Sequence, residues 1–184
     1  MTKRDFIQLL KEKDACSEAV DWCTETSGSP QQLWDKCERG DWMLWLIGKI
    51  DPDHKKLVLT ACKCARLALK YVGGGETRPL KAIETAEAWA MGEDGVTLDD
   101  VRDAADAAAY AAADAADAAD AAALAGDAAA DAAFAAADAA YAPYAAPFAA
   151  SYAALAGVRK KTLKKCAEIV RKDWPKISEL VKER

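Results

Sequence analysis

The chain holds one histidine, three methionines and six prolines in 184 residues, and β-branched residues are sparse. With no alternating apolar and polar positions, no strand pattern survives, and the fold class is all-α. The lone His54 falls two residues after Pro52 in what reads as a helix first turn, and no serine or cysteine has a local base to activate it. No catalytic residue is assigned. Cys62-Lys63-Cys64 is too tight for zinc and a single histidine adds little, so neither a metal nor a cofactor is expected. The opening MTKRDFIQLL lacks an apolar leader core, and the alanine-rich region is broken by Asp too often to span a bilayer. Cys16, Cys23, Cys37, Cys62, Cys64 and Cys166 are therefore read as reduced, mostly buried thiols of a cytoplasmic protein. No threonine lies between Thr97 and Thr162, which removes the regular hydroxyl array an ice-binding helix needs.

Charge is unevenly spread. Residues 1–98 carry 14 basic and 16 acidic side chains, residues 99–157 carry 1 and 10, and residues 158–184 carry 10 and 4. An acidic middle and a basic end can pair internally or face different partners. The basic run Arg159-Lys160-Lys161 with Lys164-Lys165 has no interleaved aromatics, so neither direct nucleic-acid binding nor a membrane partner is expected.

From Asp103 to Tyr141 every residue other than alanine is Asp, Tyr, Leu, Phe or one Gly. Gly126 aside, these recur every three or four positions, one stripe on an alanine cylinder. Over the whole run that stripe would drift roughly 160° on a straight helix, and Gly126-Asp127 supplies a stop followed by a cap, so two helices are predicted. Alanine forms helices readily but buries little area. All six tryptophans (22, 34, 42, 45, 89 and 174) lie outside the run. The alanine faces are therefore expected to pack on the tryptophan-bearing half, with the carboxylates outward. Asp103, Asp106, Asp114, Asp117, Asp120, Asp127, Asp131 and Asp138 form the candidate partner-binding stripe. Three readings of it stay open: a solvated face, a surface that offers phosphate-like negative charge to a basic groove, or an internal partner for the basic C-terminal helix.

In chain order, Thr2 to Asp5 has capping-box spacing, Asp14 is placed as the cap of a second helix, and Ser29-Pro30-Gln31-Gln32 opens a third that ends at Gly40. Arg39-Gly40-Asp41 thus reads as a helix stop followed by a start. Trp42 to Ile47 is apolar on every side and belongs in the core. A longer helix is predicted from Asp51-Pro52 to about Val72, another from Pro79 to Met91, and Thr97 caps the first alanine helix. Arg66, Glu76, Arg78, Glu84 and Glu87 are placed near one helix junction, as an ion-pair network or, less simply, a carboxylate site. Beyond Pro143 and Pro147 a short helix ends at Gly157, and the last runs from about Lys160 to Asp173 before Trp174-Pro175.

At residues 34–46 and 65–89, Trp34, Cys37 and Arg39-Gly40-Asp41-Trp42-Met43-Leu44-Trp45-Leu46 are followed by Ala65-Arg66-Leu67-Ala68, Glu76, Arg78-Pro79-Leu80, Ala82-Ile83-Glu84 and Ala86-Glu87-Ala88-Trp89. Together these resemble the Imm-5-like immunity proteins. The resemblance implies a non-catalytic cytoplasmic protein of bacterial or phage conflict systems that binds and neutralises a toxin or nuclease-type effector. It supplies no toxin-binding residues, and the acidic stripe is no part of it. The expected architecture is one compact all-α domain over 1–184: a Trp-rich half (1–98), closely packed Ala/Asp-rich helices (99–157) and a basic C-terminal helix (158–184). A scaffolding helical module is the alternative, and the oligomeric state stays open.

Overall fold

The computed structural model describes residues 1–51, 54–67, 69–71, 75–116 and 156–180. Every regular element among them is helical: α1 (Lys3–Glu12), α2 (Ser17–Glu25), α3 (Pro30–Lys36), α4 (Gly40–Ile50), α5 (His54–Ala65), α6 (Arg78–Met91), α7 (Leu98–Ala116), α8 (Ala156–Asp173) and α9 (Ile177–Leu180), with a 3-10 turn at Leu69–Tyr71. The predicted break at Gly126-Asp127 and the helix between Pro147 and Leu155 lie outside the described residues.

Three helix starts form as their spacing predicts. Asp5 N–H donates to Thr2 Oγ1 at 3.2 Å while Thr2 N–H donates to the Asp5 carboxylate at 2.8 Å. Ser29 and Gln32 exchange the same pair of bonds behind Pro30. Thr97 and Asp100 do so at α7. Each cap is worth about 1 kcal/mol.

Four boundaries differ from expectation, each for a physical reason. Asp14 ends α1 instead of capping α2: it takes φ 60°, its N–H donates to Lys11 O at 3.1 Å and Ala15 N–H to Leu10 O at 2.9 Å. That is a Schellman closure with an aspartate in the left-handed position usually held by glycine. Gly40 starts α4 and does not stop α3, and it is glycine because a Cβ there would collide with Cys166 Cβ and lie 2.6 Å from the Ala167 nitrogen. The glycine serves helix contact. Helix α5 ends at Ala65, where Leu67 N–H turns back to Cys64 O at 3.1 Å and Leu69 N–H to Arg66 O at 3.3 Å, the tighter bonding of a helix end. Helix α8 runs through Gly157, since a lone glycine costs a helix only about 1 kcal/mol and Leu163, Cys166, Ala167 and Val170 bury the face that holds α8 down.

The core gathers Leu33, Trp34, Leu44, Ile47, Val58, Cys62, Ile83, Val101 and Val170, all buried. On α6, Ala82, Ile83, Ala86 and Ala90 are buried, and α7, its main packing partner, buries Val101 and Ala105. As far as the side chains of α7 are described, its small face thus meets a helix that carries a tryptophan, Trp89.

The C-terminal part is tied to α3, α4 and α5 by polar contacts. Arg171 Nη1 donates to Cys37 O at 2.7 Å and to Trp34 O at 3.3 Å, occupying carbonyls left open at the end of α3. Trp34 Nε1 donates to Trp174 O at 2.9 Å, and Trp174 Nε1 to Asp51 at 2.7 Å. Asp173 accepts from Thr60 at 2.6 Å and Lys63 at 2.8 Å. Burial alone would raise the Asp173 pKa, but those two donors and nearby lysines outweigh it and hold the carboxyl below its ordinary range.

Candidate functional site

Helix α4 is not buried all round. Met43, Leu44, Leu46 and Ile47 are buried, but Trp42 and Trp45 are half-exposed. They face a cleft of about 350 Å³ that is lined from α1 to α4 by, among others, Phe6, Ala15, Trp22, Trp34, Trp42 and Trp45. The Schellman turn brings Asp14 to the lining and lets α2 double back, so Trp22 meets Trp42 with ring centroids 6.1 Å apart and planes tilted by 58°.

Arg39 fixes the mouth. Its Nε and Nη2 hold the Asp41 carboxylate at 2.9 and 2.5 Å, its Nη1 reaches Glu18 at 3.2 Å, and its guanidinium lies 4.2 Å from the Trp42 ring centre. Asp41, only 1% exposed, sits in the first turn of α4, where the helix dipole favours an anion. Burial of Arg39 opposes its charge, but the hydrogen bonds and charges of Asp41 and Glu18 prevail and its pKa is raised. The two buried cleft thiols are held unreactive by the same physics: burial pushes Cys23 and Cys37 up to about 11, well away from thiolate at neutral pH. Such a cavity has stacking surface, indole donors and fixed charge, which suits binding.

The acidic face is partly described. Asp103 and Asp106 are exposed on α7, one turn apart, opposite the buried Val101 and Ala105. Asp99 pairs with Arg102 at 2.9 Å, and Asp100 belongs to the capping box. Asp114 lies on α7, and Asp117, Asp120, Asp127, Asp131 and Asp138 lie outside the described residues. Within the expected junction network, among the described residues, Arg66 binds Glu87 at 2.6 and 2.9 Å and Arg78 binds Glu76 at 2.6 Å. Cys62 and Cys64 are both buried, and burial pushes the Cys62 thiol to about 12. Sequence reasoning missed the cleft because it assigned all of Trp42 to Ile47 to the core. The available signal was tryptophan spacing: Trp42 and Trp45 stand one turn apart beside Arg39.

No helix among the described residues is long and apolar enough to cross a membrane, and no cluster there could hold a metal. The Imm-5 like putative immunity protein family matches residues 50–178, well over half of the chain, and the chain belongs to that family. No curated protein and no solved structure matches it. Of the two stretches that carry the resemblance, 65–89 lies inside the matched span and 34–46 outside it. The whole cleft lining, from Phe6 to Leu46, precedes that span.

Proposed function

We propose that the protein is a non-catalytic immunity protein that neutralises a toxin or nuclease-type effector by covering its working surface. Membership of the immunity family carries this reading. The exposed Asp103 and Asp106 of α7 support a role for the acidic face as the surface that meets a basic groove. Charge of this kind steers encounter and weakens with salt, so association slows as ionic strength rises.

The test is co-expression with the polypeptide toxin encoded beside this chain. Restored growth supports the reading; killing undiminished at equal expression contradicts it and favours the scaffolding alternative. For the acidic face, Asp103, Asp106, Asp114, Asp117 and Asp120 are changed to Lys. Association with the toxin is expected to slow by about tenfold or more with little change in melting temperature. Unchanged association would leave those carboxylates as a solvated face.

A further inference from the structure

The acidic face is not the part of the molecule best built to hold a partner. An exposed carboxylate gains little once water and salt compete for it, whereas residues that dominate binding are aromatic groups in water-excluding pockets. The cleft between α1, α2 and α4 has that character. Trp22, Trp42 and Trp45 line it half-exposed, and among the described residues none of their indole N–H groups donates to a protein acceptor, unlike those of Trp34 and Trp174. An indole donor beside an apolar wall matches a peptide segment, whose side chains are apolar and whose carbonyls accept.

The charge at the mouth selects among such segments. Asp14, Glu18 and Asp41 bring three carboxylates. Against them stand the Arg39 guanidinium and, 5.9 Å from the Trp45 ring centre, the Lys49 ammonium. The balance is negative, and Asp14 and Glu18 are its exposed members. At about 350 Å³ the cavity is near the small end of ligand pockets, suited to one or two large side chains and not to a whole helix.

We propose that this cleft receives an extended segment of the toxin, with a large apolar side chain seated among Trp22, Trp42 and Trp45 and a Lys or Arg beside it at the Asp14–Glu18 rim. This rests on the reading of the chain as a toxin-binding immunity protein and names its anchor. In this arrangement the cleft anchors the partner, while α7 speeds the encounter.

The probe is a display library of short random peptides, selected on the full-length chain. The expected winners pair an aromatic or large aliphatic residue with a Lys or Arg one or two positions away. Ala15→Trp, which fills the cleft from α2's approach, and Trp45→Phe, which keeps a ring but removes an N–H, should each weaken those peptides, the first by about tenfold or more. Asp14→Asn with Glu18→Lys should remove the basic preference while apolar selection persists. Asn tolerates the left-handed backbone at position 14. Winners that lack the apolar and basic pair, winners indifferent to Ala15→Trp and Trp45→Phe, or no winners at all would each overturn the proposal.

The two readings fail separately. If Ala15→Trp protects cells from the toxin as well as the unaltered chain does and selection yields nothing, the cleft proposal falls and the immunity function stands. If cleft-dependent peptides emerge but the unaltered chain neutralises nothing, the immunity function falls and the cleft remains a peptide site.

Discussion

Helix α4 shows two ways of meeting a neighbour. Toward α8 it presents Gly40, and the backbones come so close that no side chain fits between Gly40 and Cys166. Toward α1 and α2 it presents Trp42 and Trp45, and a cavity of about 350 Å³ remains. Small side chains let helices close on each other and leave nothing to bind. Flat indoles cannot interdigitate to the same depth, so they hold helices apart and leave surface for another molecule. One eleven-residue helix thus serves both stability and recognition.

The largest effect expected on this contrast comes from Asp41, which stands where the seam and the cleft join. Asp41→Ala removes the carboxylate that holds Arg39 over the Trp42 ring and leaves a part-buried guanidinium with the exposed Glu18 as its carboxylate partner. A loss of about 3 kcal/mol is expected in urea unfolding. A loss below about 1 kcal/mol would mean that the pair does not organise the cleft.

Gly40→Ala tests the seam directly. Alanine is the better helix former by up to about 1 kcal/mol, yet its methyl group would meet Cys166 and the Ala167 backbone. The net loss is expected near 2 kcal/mol, lowering the melting temperature by about 4–8 °C. Gly75→Ala sharpens this: at φ 92° with nothing within 4 Å, it tests backbone strain without a clash, and about 1 kcal/mol is expected. Equal losses at the two glycines would show that contact is not the reason for Gly40.

On the cleft side, Ala15→Trp adds volume where space exists, so stability should stay within about 0.5 kcal/mol while peptide binding falls about tenfold. Stability loss comparable to Gly40→Ala would erase the distinction between the two faces of α4.

How much of this was legible depended on whether a signal was local. Capping boxes at Thr2, Ser29 and Thr97 are four-residue patterns with their chemistry inside them, and all three formed. The all-α class and the burial of Leu163, Cys166, Ala167 and Val170 followed from periodicity alone. Gly40 and Asp14 were misread because their reasons are not local to the letter: Gly40 answers to residues 166 and 167, and Asp14 to the carbonyls behind it. The acidic positions Asp103 and Asp106 were legible as exposed because alanine surrounds them. The cleft was not, since apolar periodicity marks which residues avoid water and not whether the partners that meet them fill the space.

The smallest effect separates two ion pairs that look alike in sequence. Arg39-Gly40-Asp41 and Glu76-Thr77-Arg78 each place an arginine two residues from a carboxylate, and in both the arginine Nε and Nη2 hydrogen-bond that carboxylate. Asp41 is nearly inaccessible, whereas the Glu76 and Arg78 side chains keep 27% and 38% of their exposure. Water therefore screens the second pair, and Glu76→Gln should cost under about 1 kcal/mol at neutral pH and less in high salt. Its signature is in acid. Hydrogen bonds from the Arg78 side chain and backbone lower the Glu76 pKa from 4.5 to about 2, so its stabilisation is complete above pH 4.5 and is lost as pH falls toward 2. Urea unfolding across that window should show a shallower decline for Glu76→Gln than for the unaltered chain. Parallel declines would mean that solvent has already cancelled the Glu76 pair, making burial the whole difference between it and Arg39–Asp41.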